Sequence, residues 1–129
     1  MGSRNRPVAR FRIYATSSLY FEVLFFETYR AMYAKAKALG TPGEDYGAIC
    51  IERTAKRPQV GYLLFTRPHL SDDVIAHELF HAIVAVSKRL RLDLTVHESE
   101  ERAAAVVGRL TQEFWGRYYR RWPVKVQGI

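Results

Sequence analysis

Two histidines and a glutamate near the middle of the chain carry its most specific chemical signal. The run from His77 to His81 reads H-E-x-x-H. On a helix the two histidines are four residues apart, so both imidazoles project from one face and can bind one zinc ion. Glu78 follows the first histidine and can act as general base on a zinc-bound water. The pattern therefore predicts a catalytic zinc site.

The residues around this pattern predict a helix over about 72–90. Ser71 and Asp72 suit its start, and the basic pair Lys88 and Arg89 suits the negative end of its dipole. The helix is apolar nearly all round, which is typical of a buried helix. Burial of two histidines and a glutamate without partners would cost several kcal/mol. We therefore expect the three polar side chains to be buried and bound to metal.

A third zinc ligand is expected from the acidic stretch that opens a second helix, over about 98–120. Glu100 precedes Ala103 by three residues and Val107 by seven, so it shares the apolar stripe of that helix. An acid on a core face needs a partner, and a metal ion can be that partner. Three rivals for this role stay open: Glu98, Glu101 and His97.

The two histidines, the glutamate and a later glutamate three residues before an alanine resemble the gluzincin metallopeptidases. These include thermolysin and the small ImmA/IrrE-type domains of phages and mobile elements. The resemblance covers about residues 71–111. It implies that His77, His81 and Glu100 bind zinc and that Glu78 is the general base. It also implies a zincin-like fold and a zinc-dependent hydrolase that cleaves peptide bonds in a peptide or protein substrate.

The order of predicted elements indicates one α+β domain over residues 1–129, with a small, mostly antiparallel sheet flanked by helices. Zincins have an edge strand beside the zinc helix, on which an extended peptide can add as a further strand. The resemblance points to residues 61–66 for that strand. The side chain that would donate a hydrogen bond to the oxyanion is one of four candidates, and the sequence does not choose among them: Tyr14, Tyr62, His69 and His97. Before the zinc helix the predicted elements are a strand at 10–15, a helix at 18–39 that Gly40 ends, and two strands at 46–52 and 60–66 that form a hairpin.

The net charge of +7 is concentrated in the two ends of the chain. Residues 1–12 and 117–129 carry eight cations and no acid, whereas the remainder has 12 basic and 13 acidic residues. Basic ends that include aromatic residues suit nucleic acid or an acidic protein partner. The simpler interpretation is a helix end with favourable cations and with aromatic rings packed on the domain.

Cysteine content and hydropathy bear on where the protein works. One cysteine, Cys50, allows no disulfide within the chain, which favours a reducing compartment, and we expect it to act as a small apolar residue. No apolar stretch is long enough to cross a membrane, and the early apolar run contains two acids, unlike a signal peptide. We therefore expect a cytoplasmic protein. Two functions compete with peptidase activity: a catalytically silent zincin-fold interaction or assembly module, and nucleic-acid binding through the basic ends.

Overall fold

The structure is a computed structural model that describes residues 6–41, 48–53 and 57–123. Parts of the two basic ends and of two loops lie outside these ranges. Four strands and three helices occur in them, with a short 3-10 turn before the second helix. In chain order they are β1 Ala9–Tyr14, β2 Tyr20–Phe26, α1 Tyr29–Ala38, β3 Ala48–Glu52, β4 Gln59–Thr66, α2 Asp72–Arg89 and α3 His97–Arg121.

The sheet has the strand order β1-β2-β4-β3 and confirms the predicted α+β class. Two of its three pairings, β1 with β2 and β3 with β4, are antiparallel hairpins. The third, β2 with β4, is parallel, because α1 and β3 intervene in the chain and return it to the same edge. The strand β4 is consequently central. The expectation that residues 61–66 form the free edge is wrong, since β3 covers that side.

The predicted helix over residues 18–39 is also wrong, because its first part is the strand β2. This segment alternates between the two faces of the sheet as well as matching a helical stripe. Phe21, Val23 and Phe25 face one side, and Leu24 and Phe26 face the other. Both sides are buried, as expected of a strand covered on two faces. The helix α1 begins only after Thr28, whose hydroxyl accepts a hydrogen bond from the main-chain N–H of Ala31 at 3.1 Å.

The helices cover the two faces of the sheet unequally. The single helix α1 packs on one face against the central strands, and its end at Gly40, with φ of +88°, agrees with the sequence. The longer pair α2 and α3 packs on the other face around Phe65, Leu110 and Phe114, which are fully buried. The predicted ends of both helices agree with the structure within one residue. No helix in the described part of the chain is long and apolar enough to span a membrane.

One glycine in β4 is required by the packing of the hairpin. The ladder between β2 and β4 shifts register at the start of β4, so the strand is bulged there. A Cβ on Gly61 would overlap the main-chain carbonyl oxygen of Ile51 on β3. The close approach of β3 and β4 therefore depends on the missing side chain at this position.

Candidate metal centre

The helix α2 is held along the edge of the sheet by its basic C-terminal turn. The Arg89 guanidinium donates to the carbonyl oxygens of Arg57 at 2.6 Å, Arg53 at 3.0 Å and Gln59 at 3.3 Å. The ammonium group of Lys88 lies 3.3 Å from Glu52 at the end of β3. These contacts tie the helix to the connection between β3 and β4, so the middle of α2 has a defined position beside β3.

The helix α2 has three neighbouring faces, which carry Ala76 and Phe80, then the two histidines, then Glu78. Ala76 and Phe80 line an apolar groove of about 480 Å³ shared with α3. The histidines come one residue after each of these, about 100° further around the helix, and face solvent. Glu78 comes next and faces β3. The pair thus lies between the groove and the edge of the sheet.

The two histidines approach each other closely. Their Nε2 atoms are 3.2 Å apart, and the side chain of His77 is 68 % exposed. Nitrogens that bind one tetrahedral zinc ion at about 2.0–2.1 Å lie roughly 3.3–3.4 Å from each other. The observed distance also suits a hydrogen bond between the rings in one tautomer. The donor pair fits zinc, but its exposure contradicts the expectation that the histidines are buried.

Glu78, in contrast, is buried, with 6 % of its surface exposed. One of its carboxylate oxygens lies 3.8 Å from Nε2 of His77. Burial raises the pKa of Glu78, and both histidines and a hydrogen bond from the main-chain N–H of Cys50 oppose that rise. A partly desolvated carboxylate with a raised pKa, held close to the potential ligand His77, has the properties expected of a general base.

The strand β3 forms the edge of the sheet beside α2, and Glu78 contacts its outward main chain. The N–H of Arg53 donates to Val60 on β4 at 2.8 Å. By the alternation of an antiparallel ladder, the main-chain groups of Ala48, Cys50 and Glu52 then point away from β4. The N–H of Cys50 is the one taken by Glu78. The sequence did not reveal this partner, because the contact comes from main chain and depends on strand order.

Cys50 itself is half-buried and packs against the core beneath α2. Burial, with smaller contributions from Glu78 and Glu52, raises the pKa of its thiol to about 12. The thiol therefore stays protonated near neutral pH and is a poor nucleophile. This agrees with the expectation that Cys50 is a small apolar residue.

The predicted third ligand lies elsewhere. Glu100 is exposed and not buried as expected, and its carboxylate clusters with ligand atoms of His97 and Glu101, all within 4.8 Å of one another. In the described ranges, no third His, Cys, Asp or Glu atom lies within that distance of both histidines of α2. Glu100 precedes Val107, which faces the groove, by seven residues or about 10 Å of helix rise. The structure thus brings His77, His81 and Glu78 together without Glu100.

The other open positions are also placed. Glu98 is exposed in the first turn of α3. Tyr62 contacts Arg53 at 3.1 Å and packs on the α1 face of the sheet, away from α2. Tyr14 belongs to β1 at the far edge, and the ring of His69 stacks on Tyr29 with centroids 4.5 Å apart. No oxyanion donor emerges from these residues.

Comparison with models of known protein families, with curated proteins and with solved structures finds no match to this chain. The assignment of the site therefore depends on its own geometry. That geometry offers a candidate metal centre with two imidazole nitrogens on one exposed helix face and one buried carboxylate near His77.

Proposed function

We propose that the protein is a zinc-dependent metallopeptidase with His77 and His81 as zinc ligands and Glu78 as general base. The observation that carries the proposal is the 3.2 Å separation of the two Nε2 atoms, with a buried carboxylate 3.8 Å from one of them. When bound there, zinc would lower the pKa of a water molecule and polarise a substrate carbonyl. Glu78 would accept the proton of the attacking water and pass it to the leaving amine.

The surroundings of the pair support an extended peptide as substrate. The histidines face solvent, so a polypeptide can reach them without a movement of the domain. The outward main-chain groups of β3 border them on one side, where a peptide could pair with those that Glu78 does not take, as an added strand. The strand that would pair with the peptide is therefore Ala48–Glu52 and not residues 61–66, which are paired on both sides. With a single cysteine, the protein suits a reducing compartment such as the cytoplasm.

The proposal is tested with zinc-loaded protein and a fluorescein-labelled casein substrate. Wild type should cleave it, and a chelator should abolish cleavage. Glu78→Gln should bind as much zinc as wild type while turnover falls by about 10²–10⁴-fold, the usual contribution of a general base. Glu27→Gln, at an exposed carboxylate just after β2, is the matched control and should cleave normally. A Glu78→Gln protein with wild-type turnover would refute the mechanism.

Glu100 remains our candidate for the third ligand, with His97, Glu98 and Glu101 as rivals. Zinc content per chain should fall from one to none in Glu100→Ala if it completes the site. Glu98→Ala, Glu101→Ala and His97→Ala are measured alongside it. An unchanged zinc content in Glu100→Ala would transfer the role to whichever of the other variants loses zinc.

A second candidate is a module that binds zinc and a partner without catalysis. The observation that favours it is the absence, in the described part of the chain, of a third ligand atom near the histidine pair. This function predicts one zinc per wild-type chain but no cleavage of casein. It also leaves the burial of Glu78 without a purpose, which is why we rank it second.

A further inference from the structure

The two basic ends of the chain lie side by side in the folded protein. The Arg121 guanidinium donates to the carbonyl oxygen of Val8 at 3.4 Å, and the N–H of Tyr14 donates to Glu113 at 3.0 Å. The C-terminal part of α3 therefore runs antiparallel to β1. The described cations of both ends flank the edge of β1: Arg10 and Arg12 project from the face of β1 opposite α3, and Arg117, Arg120 and Arg121 belong to α3. Together with Arg6 they are here called the basic surface.

Carboxylates offset only part of this charge. Glu22 lies 3.5 Å from Arg10, and Glu113 is held by the main chain of Tyr14. Except for Arg117, which is partly buried, the six arginines are exposed. Arg12 stacks over the ring of Tyr20 with 4.4 Å between guanidinium carbon and ring centroid, so its position is fixed. The basic surface thus keeps an excess of about four positive charges around the edge of β1.

Repeated spacings order the cations along the surface. Arg10 and Arg12 project from the same face of β1, about 7 Å apart. Arg117 and Arg121 are one helical turn apart on α3, about 6 Å. These steps are comparable to the spacing of successive phosphates along a nucleic-acid strand. Guanidinium groups also match phosphate oxygens with paired hydrogen bonds.

Among the described aromatic residues at the end of α3, Tyr119 alone is exposed, at 45 %, and it stacks on Trp115. Tyr118 and Trp122 pack on Phe25, with ring centroids 5.8 Å and 5.1 Å away. The basic surface therefore offers little apolar area, whereas protein interfaces have an apolar and aromatic centre. Interfaces with nucleic acid are polar and strongly positive. Backbone contact without base stacking suits a duplex at least as well as a single strand.

We propose that the basic surface binds the phosphate backbone of double-stranded nucleic acid without sequence preference. It lies at the β1 edge of the sheet, whereas the histidine pair lies beside β3 at the opposite edge, about 14 Å of strand spacing away. Binding at the basic surface leaves the candidate metal centre free. The nucleic acid is thus a tether for the domain and not its substrate.

Fluorescence anisotropy with a labelled DNA duplex of about 20 base pairs tests the proposal, at salt concentrations from roughly 50 to 200 mM. The test variant is Arg6→Ala/Arg117→Ala/Arg120→Ala, which spares Arg10, Arg12 and Arg121 because all three make contacts within the fold. Loss of three phosphate contacts should reduce the salt slope by about 2–3 and weaken binding roughly 100-fold near 0.1 M salt.

The matched control removes three exposed arginines elsewhere, in Arg30→Ala/Arg57→Ala/Arg102→Ala, and should bind nearly as wild type does. His81→Ala should also bind normally, which separates this proposal from the metallopeptidase. If the triple variant does not fold, Arg120→Glu decides, with an expected loss of about tenfold or more.

Three outcomes would overturn the proposal. The first is an absence of duplex binding by wild type at the lowest salt concentration. The second is an equal loss of affinity in the test and control variants. The third is tighter binding of a polyglutamate peptide than of the duplex, since that result would assign the surface to an acidic protein partner.

Discussion

Removal of one histidine from the α2 pair gives a sharp test of the metal centre. His81 is exposed, and its contacts are with the exposed side chains of His77 and Phe80, so His81→Ala should change the stability of the metal-free protein by no more than about 0.5 kcal/mol. The variant is therefore expected to fold as wild type does. Any change in its response to zinc then reports on the site and not on the fold.

The size of the effect follows from the contribution of one ligand. Structural zinc sites bind with about 10–16 kcal/mol for four ligands, or about 2.5–4 kcal/mol each, which is roughly 100- to 1000-fold in affinity. At zinc concentrations about 100 times the wild-type Kd, wild type gains about 2.7 kcal/mol of stability. In His81→Ala the same concentration is near or below the Kd, so the gain is about 0.4 kcal/mol or less.

Thermal unfolding with and without zinc measures this difference. For a chain of this length about 4 °C accompanies each kcal/mol, so Tm should rise by about 10 °C in wild type and by about 2 °C or less in His81→Ala. His69→Ala removes a histidine that stacks on Tyr29 away from the pair, and it should respond as wild type does. The reasoning is refuted if His81→Ala keeps the full rise, or if His69→Ala loses as much of it.

Three further perturbations address the carboxylate, the hairpin and the groove. Burial raises the pKa of Glu78 above its ordinary value of 4.5. In the metal-free protein the protonated carboxyl therefore contributes its full share of the free energy of unfolding below that pH, and this share is lost as pH rises through the raised pKa. Urea unfolding across this range should show wild type losing stability relative to Glu78→Gln as pH rises. Gly61→Ala should cost about 1–3 kcal/mol in the same assay because its Cβ meets the Ile51 carbonyl, whereas Gly108→Ala, with open space around it on α3, should be neutral or stabilising by about 0.5–1 kcal/mol. Phe80 is 64 % exposed, so Phe80→Ala should change unfolding free energy by less than about 1 kcal/mol, and a loss of the about 3–5 kcal/mol typical of a core phenylalanine would show that the groove is closed in solution.

The parts of the structure that the sequence predicts well are those determined within one element. The spacing of His77 and His81 places both rings on one face of any helix, and the boundaries of α2 follow from Ser71 at its start and the basic residues at its end. Glu78 was expected to be buried, and it is. The shared face and the helix boundaries require no knowledge of what packs against the helix, whereas the burial of Glu78 depends on β3.

Properties that depend on how elements meet were predicted less well. The segment of β2 satisfies a period of two and a helical stripe at once, and only its burial on both faces decides between them. The identity of the edge strand depends on the parallel pairing of β2 with β4, which joins residues about 40 positions apart in the chain. The exposure of the histidines likewise depends on the position of α3, which lies across the groove from Ala76 and Phe80 and does not cover His77.

The offset of Glu100 from the histidine pair indicates how the site could be completed. Sliding the whole of α3 by about 10 Å would displace its four buried side chains from the core: Ala103, Val106, Leu110 and Phe114. The three larger ones are each worth about 1.5–3 kcal/mol, and their sum exceeds the contribution of one ligand. The residues before Ala103 have no such anchor, since those from His97 to Arg102 are exposed or half-exposed.

Unwinding the first turns of α3 is therefore the less costly route for Glu100. If Ala103 stays in place and residues 100–102 unwind, these three extended residues span about 10 Å. Folded back along α3, they are long enough to bring Glu100 past the level of Val107. We accordingly expect zinc to accelerate hydrogen exchange of the main-chain amides at 100–102 in wild type but not in Glu100→Ala. Slower exchange there on zinc addition would show that the ion binds the exposed His97, Glu100 and Glu101 cluster and holds the helix start in place, which would leave the histidine pair to find its third ligand elsewhere.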